Sequence, residues 1–359
     1  MLEDVEVTKV TPGTAPGSVK AMTVKVPPTG RLQAIVPANV DDILCEAKPL
    51  DVVYDIKTRE LVHSRQRREA RLEKEARVDQ QLKAKRARLW PDFAEEEQEK
   101  FVAEEKEFLD KVAKDFPGTL YETKYYLFYT DMPAQQISGY IAYLDDMYKQ
   151  LCKAYGVPEG KNVWRGKCVV VAFVAEKTFG KFEEKIMANS SWKGAQGLAH
   201  SYGNGRVLIS CFRGPDPLFF ATVLVHETSH GFVHRYKSSA RIPSWINEGI
   251  ADWVAAAVVR ADDSVENRQH EAARIAKQSG TLGGNFFADK NIEDWQYGAA
   301  SAIVDMMLKM GGGKQYRELI DGIKEGLDWE DSLKQAFNMS PAELTATYGK
   351  YIGAPNLRP

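Results

Sequence analysis

Apolar and polar positions alternate in short runs through the first sixty residues, as in Met22-Thr23-Val24-Lys25-Val26, Leu32-Gln33-Ala34-Ile35-Val36 and Asp51-Val52-Val53-Tyr54, with Pro and Gly between them. A period of two broken by turn residues predicts short strands, so residues 1–60 are expected to form a small β-rich module. The pattern then changes abruptly. Glu, Lys, Arg, Gln and Ala dominate residues 64–116, basic up to Arg88 and acidic after Pro91. Val102, Leu109 and Phe116 recur every seven positions, with Phe101, Phe108 and Val112 beside them, which gives a helix one apolar stripe. A charged helical hairpin over 61–118 is expected, broken near Pro91. The opposed charges of its two halves suit antiparallel packing of one on the other; the hairpin is expected to pack on its own protein, while a coiled-coil surface for a partner is the competing reading.

Residues 119–359 read as one larger domain. Tyr125-Tyr126-Leu127-Phe128-Tyr129 and Cys168-Val169-Val170-Val171-Ala172-Phe173-Val174 are dense in β-branched and aromatic residues and predict strands, with an amphipathic helix over 134–155 between them. Arg206-Val207-Leu208-Ile209-Ser210 predicts a further strand after a Gly203-Asn204-Gly205 turn. From Trp245 onward the periodicity is helical, over 245–260, 263–278, 297–310, 314–325, 329–337 and 341–352. The expected class is therefore α+β, a mixed sheet followed by a helical C-terminal lobe.

Chemistry enters at His226-Glu227-Thr228-Ser229-His230, an HExxH sequence inside an apolar stretch that suits a buried helix. Residues four apart share a helical face, so both imidazoles can reach one ion, and Glu227 stands one step round, placed to hold a metal-bound water. With six histidines in 359 residues, chance supplies such a match in only about 1% of chains. Hydrolytic zinc takes three protein ligands and an open position. Glu248, on the next expected helix with Ser244 as its N-cap, can be the third. Asp252 is one turn further along and can accept the outer N–H of His226 or His230. His234, two turns from His226, is about 12 Å away along the axis, too far to share the ion. His200 reads as a loop residue, and His63 and His270 carry no role.

The HExxH sequence followed by Glu248 and Asp252 resembles the gluzincin group of zinc peptidases. The Pro243-Ser244-Trp245-Ile246-Asn247-Glu248-Gly249-Ile250-Ala251 run is similar to peptidase MA-like domains of bacterial proteins. The resemblance covers roughly residues 120–355 and leaves the first 118 without a family. It implies a zincin-like fold, Zn²⁺ bound by His226, His230 and Glu248, Glu227 as general base, and a peptide or protein substrate. Tyr297-Gly298-Ala299-Ala300 is similar to a helix start in the aminopeptidase N relatives, where a tyrosine hydroxyl stabilises the oxyanion; that role passes to Tyr297, although the Glu-Lys of the relatives is Gly298-Ala299 here. The resemblance also implies that 206–210 edges the cleft and pairs with substrate backbone; an interior strand is the alternative. The metzincin pattern does not fit, because Val233 and Tyr236 stand where it needs Gly and His. No Gly-x-Met-Glu-Asn segment, which binds the substrate amine in aminopeptidase N relatives, precedes the HExxH sequence.

Composition narrows partners more than function. A net charge of -2 and 27% charged residues argue against nucleic acid or an anionic membrane surface as partner. Cys45, Cys152, Cys168 and Cys211 lack CxxC spacing, so neither a second metal site nor a dense disulfide framework is expected. No run of 18 apolar residues predicts a membrane span, the N-terminus lacks the features of a signal peptide, and neither compartment nor oligomeric state can be read. The expected function is a zinc-dependent peptidase. A non-catalytic scaffold that retains a zinc site, or an enzyme kept latent by the charged hairpin, remains as the alternative.

Overall fold

The computed structural model describes residues 6–12, 19–26, 31–35, 44–45, 48–49, 52–57, 59–69, 71–73, 89–288, 291–311 and 313–359. The chain divides into two units, Met1–Ala84 and Lys85–Pro359.

The first unit holds β1 (Glu6–Pro12), β2 (Val19–Val26), β3 (Arg31–Ile35), β4 (Leu44–Cys45), β5 (Lys48–Pro49), β6 (Val52–Asp55) and β7 (Glu60–His63). β1, β2, β7 and β6 lie side by side in antiparallel order, with β3 also paired to β2, while β4 and β5 form a separate two-stranded ladder. Met22, Val52 and Leu61 are buried at its centre. Most of the first helix of the expected hairpin falls on residues 74–88, which lie outside the described residues.

The second unit is α+β with a mixed sheet. Its elements are α1 (Glu95–Ala113), β8 (Thr119–Glu122), β9 (Tyr126–Thr130), α2 (Ala134–Tyr155), β10 (Cys168–Phe173), α3 (Glu176–Lys185), β11 (Gly197–Ser201) and β12 (Val207–Phe212). Then come α4 (Pro217–Arg235), α5 (Ser244–Val258), α6 (Ser264–Ser279), α7 (Asp294–Gly311), α8 (Lys314–Lys324), α9 (Trp329–Phe337) and α10 (Pro341–Ile352). The strands run in the order β11-β12-β10-β9-β8, with β9, β10 and β12 parallel and the two outer strands antiparallel to their neighbours. Every residue of β9 and β10 is buried, as an interior strand covered on both faces requires.

Alternation along these strands feeds two cores. Leu127, Tyr129, Val169, Val171 and Leu208 face Leu109 and Val112 of α1 and Phe179 and Phe182 of α3. Tyr126, Phe128, Val170, Ala172, Val207 and Ile209 face α2, α4 and the helices beyond. The apolar stripe of α1 is thus consumed by the sheet of its own unit. Buried Glu105 secures this packing through a two-pronged bond to Arg206, at 2.6 and 2.7 Å.

Two expectations are overturned here. The strand containing 206–210 is not the sheet edge: β12 is paired on one side with β10 and on the other with β11, so β11 is the edge. The helix bearing Glu248 also begins differently. Pro243, at φ -54° and ψ 146°, takes the cap position, and Ser244 starts the helix without a side-chain cap bond. Cys152, Cys168 and Cys211 are buried free thiols. Among the described residues, no helix is long and apolar enough to cross a membrane.

Candidate functional site

Helix α4 starts at a firm cap, with Asp216 Oδ1 accepting from the Leu218 and Phe219 amides and Pro217 in the first turn. Its apolar residues Phe220, Leu224, Val225, Phe232 and Val233 enter the core and leave His226 and His230 together on the opposite side. Helices α5, α6 and α7 then pack closely around them. A Cβ on Gly249 would stand 2.6 Å from the Ala300 carbonyl, and one on Gly298 would stand 2.1 Å from the Arg268 carbonyl, so glycine at both positions lets α7 approach α5 and α6. Here lies a reason why Gly298 follows Tyr297: any larger residue would hold the helix away.

His226 Nε2 and His230 Nε2 lie 3.1 Å apart, and Glu248 Oε2 is 3.3 Å from each. Their ligand atoms form the one group of three or more such donors found among the described residues. Around a tetrahedral ion with bonds of about 2.0–2.1 Å, donors stand about 3.3 Å apart, so the triangle has the size such an ion requires. Chemistry agrees with geometry. Asp252 Oδ1 lies 2.8 Å from His226 Nδ1, which places the proton on Nδ1 and leaves Nε2 as a lone pair aimed into the triangle. Lone pairs and a carboxylate brought this close repel one another unless a cation or a proton sits among them.

The titration behaviour reports the same crowding. Burial alone would push His226 down, but Asp252, Glu248 and Glu227 outweigh it and hold the imidazole well above its ordinary value. For His230, burial is likewise outweighed, chiefly by Glu248. Burial would raise Glu248, yet the two imidazoles hold it far below the usual carboxylate range. His230 Nδ1 is buried and has no hydrogen-bond partner, so only one of the two rings has an outer bond.

His226 and Glu227 line a cleft of about 420 Å³, together with Gly197, Asp252, Arg268 and Tyr297. The first residue of β11 forms part of its wall. A Cβ on Gly197 would stand 2.7 Å from Glu227 Cγ, so only glycine lets the strand pass the carboxylate this closely. Among the described residues, the outer side of β11 pairs with no other strand, leaving an edge beside Glu227. Tyr297 lies in the first turn of α7, and burial, then the Glu248, Glu227 and Asp252 charges, raise its hydroxyl, which stays protonated near neutrality and able to donate.

Of the six residues singled out in the sequence, His226, Glu227, Asp252 and Tyr297 line one cleft, and His230 and Glu248 meet His226 in the triangle beside it. Arg268 escaped notice. Its Nη2 donates to Asp252 Oδ1 at 2.9 Å and it lines the cleft, but in the sequence it is one charge among many on α6. Two other histidines belong elsewhere. His200 is a strand residue rather than a loop one; it shares a sheet face with Leu198, away from α4, and lies 3.1 Å from buried Glu183 Oε1. His234 Nε2 donates to the Tyr202 carbonyl at 3.1 Å, beside the Trp90 ring. His270 is exposed.

No protein-family model matches this chain, and no curated protein matches its sequence.

Proposed function

We propose that the chain is a zinc-dependent peptidase of the gluzincin type, its second unit a zincin-like catalytic domain. The observation that carries this reading is the triangle of His226, His230 and Glu248, with Glu227 beside it in a cleft bordered by a strand edge. The three residues would hold Zn²⁺, which supplies a Lewis acid for the scissile carbonyl and a water of lowered pKa.

The chain's own groups account for the remaining work. Glu227 takes the proton of the attacking water and hands it to the leaving amine. Tyr297 donates a hydrogen bond to the oxygen that becomes negative as the carbonyl is attacked. Asp252 fixes the tautomer of His226 and is itself held by Arg268. The edge of β11, rather than β12, offers backbone groups to an extended substrate, which would add to the sheet as a further strand. Peptides with free and with blocked termini, incubated with zinc-loaded protein, should be cleaved, and 1,10-phenanthroline should stop the cleavage until zinc is restored. Failure to cut any peptide with zinc bound would refute the peptidase reading and favour a binding role.

A further inference from the structure

A second cavity, of about 390 Å³, lies beside the C-terminal end of α4. Trp90, Phe93, Tyr155, Trp164, Lys161 and Arg235 are among the residues that line it. Arg235, the last residue of α4, is only 6% exposed, yet no carboxylate pairs with it among the described residues. Among the described residues its guanidinium makes one hydrogen bond, from Nε to the Val163 carbonyl at 2.9 Å, and Nη1 is buried without a partner. A buried cation ordinarily has an anion beside it, because the desolvation cost is otherwise unrelieved. Burial and neighbouring Arg165 together pull Arg235 down to about 10, the direction that an uncompensated cation takes.

A second donor in the same wall is orphaned. Trp164 is 1% exposed, and its indole Nε1 has no acceptor. The other cations that line the cavity are already matched: Lys237 lies 2.9 Å from both Asp321 and Glu325, and Lys161 lies 3.8 Å from Asp92. Among the described residues that line the cavity, Arg235 is left as the one cation without a carboxylate, which fits a monoanion. The walls are also fixed in place. Trp90 lies over the guanidinium, 4.7 Å from Cζ, and is tied down by its amide to the Lys237 carbonyl and by its indole N–H to the His234 carbonyl. Aromatic walls around a lone guanidinium, in a volume typical of small-molecule sites, select a flat apolar body with a carboxylate.

We propose that this cavity binds a small aryl carboxylate, whose carboxylate accepts from the Arg235 guanidinium while its ring packs among Trp90, Tyr155 and Trp164. The site lies apart from the metal-ligand triangle and does not depend on peptidase activity.

The test uses the full-length protein, with 2-naphthoate as probe and its neutral isostere 2-naphthamide as control, followed by calorimetry and by tryptophan fluorescence. The naphthoate should bind at least about tenfold more tightly than the amide, the difference expected for a hydrogen bond to a charged group. Arg235→Met should remove that preference while leaving the amide unchanged, and Trp164→Phe, which deletes the orphan N–H and keeps an aromatic ring, should weaken naphthoate severalfold. Equal affinity for the two probes, or wild-type naphthoate binding by Arg235→Met, would overturn the proposal. Should Arg235→Met fail to fold, Trp164→Phe decides, and unchanged naphthoate affinity in that variant overturns it equally.

Discussion

Replacing Asp252 with Asn removes one charge and almost no volume from the centre of the site. Asp252 is fully buried, and Oδ1 takes two bonds, from His226 Nδ1 at 2.8 Å and Arg268 Nη2 at 2.9 Å. Bonds to a charged acceptor contribute about 1.5–3 kcal/mol each and neutral ones about 0.5–1.5, so Asn forfeits about 1–1.5 kcal/mol per bond. The share that falls on His226 weakens the ring as a metal ligand by about tenfold, the low end of what loss of such a partner ordinarily costs. The share that falls on Arg268 reduces stability without touching the metal. Zinc affinity is read by competition with a chromophoric chelator, and fold by thermal unfolding with and without EDTA. Asp252→Asn should bind zinc about tenfold more weakly and melt lower in both conditions. An affinity within about twofold of wild type would refute the role given to Asp252, because the two bonds would then be decoration around a site that does not need them.

Four further outcomes follow from the geometry. Gly197→Ala puts a methyl 2.7 Å from Glu227 Cγ and 2.9 Å from Val223 Cγ1, so kcat should fall by about tenfold or more with zinc retained, as steady-state kinetics and metal analysis would show. Tyr297→Phe should lower kcat by about 10²–10³ with KM and metal content little changed, the scale of losing one oxyanion donor; equal losses in zinc binding would reassign Tyr297 to structure. Lys324 is 2% exposed, donates to the Ser238 and Ala240 carbonyls, and is held by burial at about 7. The unfolded chain keeps that proton up to about 10.5 and the folded chain does not, so stability should rise between pH 7 and 10, by on the order of 3–5 kcal/mol, and the penalty should be complete below about 7. Lys324→Met should flatten that rise in denaturant midpoints.

How far the sequence could be read depended on whether a pattern had a period. The helices from Trp245 onward announced themselves by apolar spacing, and α2 did so over residues 134–155. His226 and His230 could be paired because four residues fix one helical face, and Glu248 because the turn at Pro243 announced a new helix. The edge strand was invisible for a physical reason. Gly197-Leu198-Ala199-His200-Ser201 has no β-branched residue and gave no strand signal, whereas Val207-Leu208-Ile209 did, so the edge role implied by the resemblance fell on 206–210. The burial of the first five residues of β12 is what an interior strand requires, and alternation could have separated the two. Arg268 and Arg235 carried no signal, since a charge meets its partner, or lacks one, only once distant elements are packed together. The α1 stripe was visible, but whether it faced its own sheet or a partner depended on that packing.

The most direct test of the central claim is Glu227→Gln, which is nearly isosteric, touches none of the three ligands, and removes only the proposed base. The variant should hold about one zinc per chain, as the wild type does, and fold alike, while peptide hydrolysis falls by at least about a hundredfold. Peptide turnover at the wild-type rate in zinc-loaded Glu227→Gln, or a wild-type protein that takes up no zinc at all, would contradict the account.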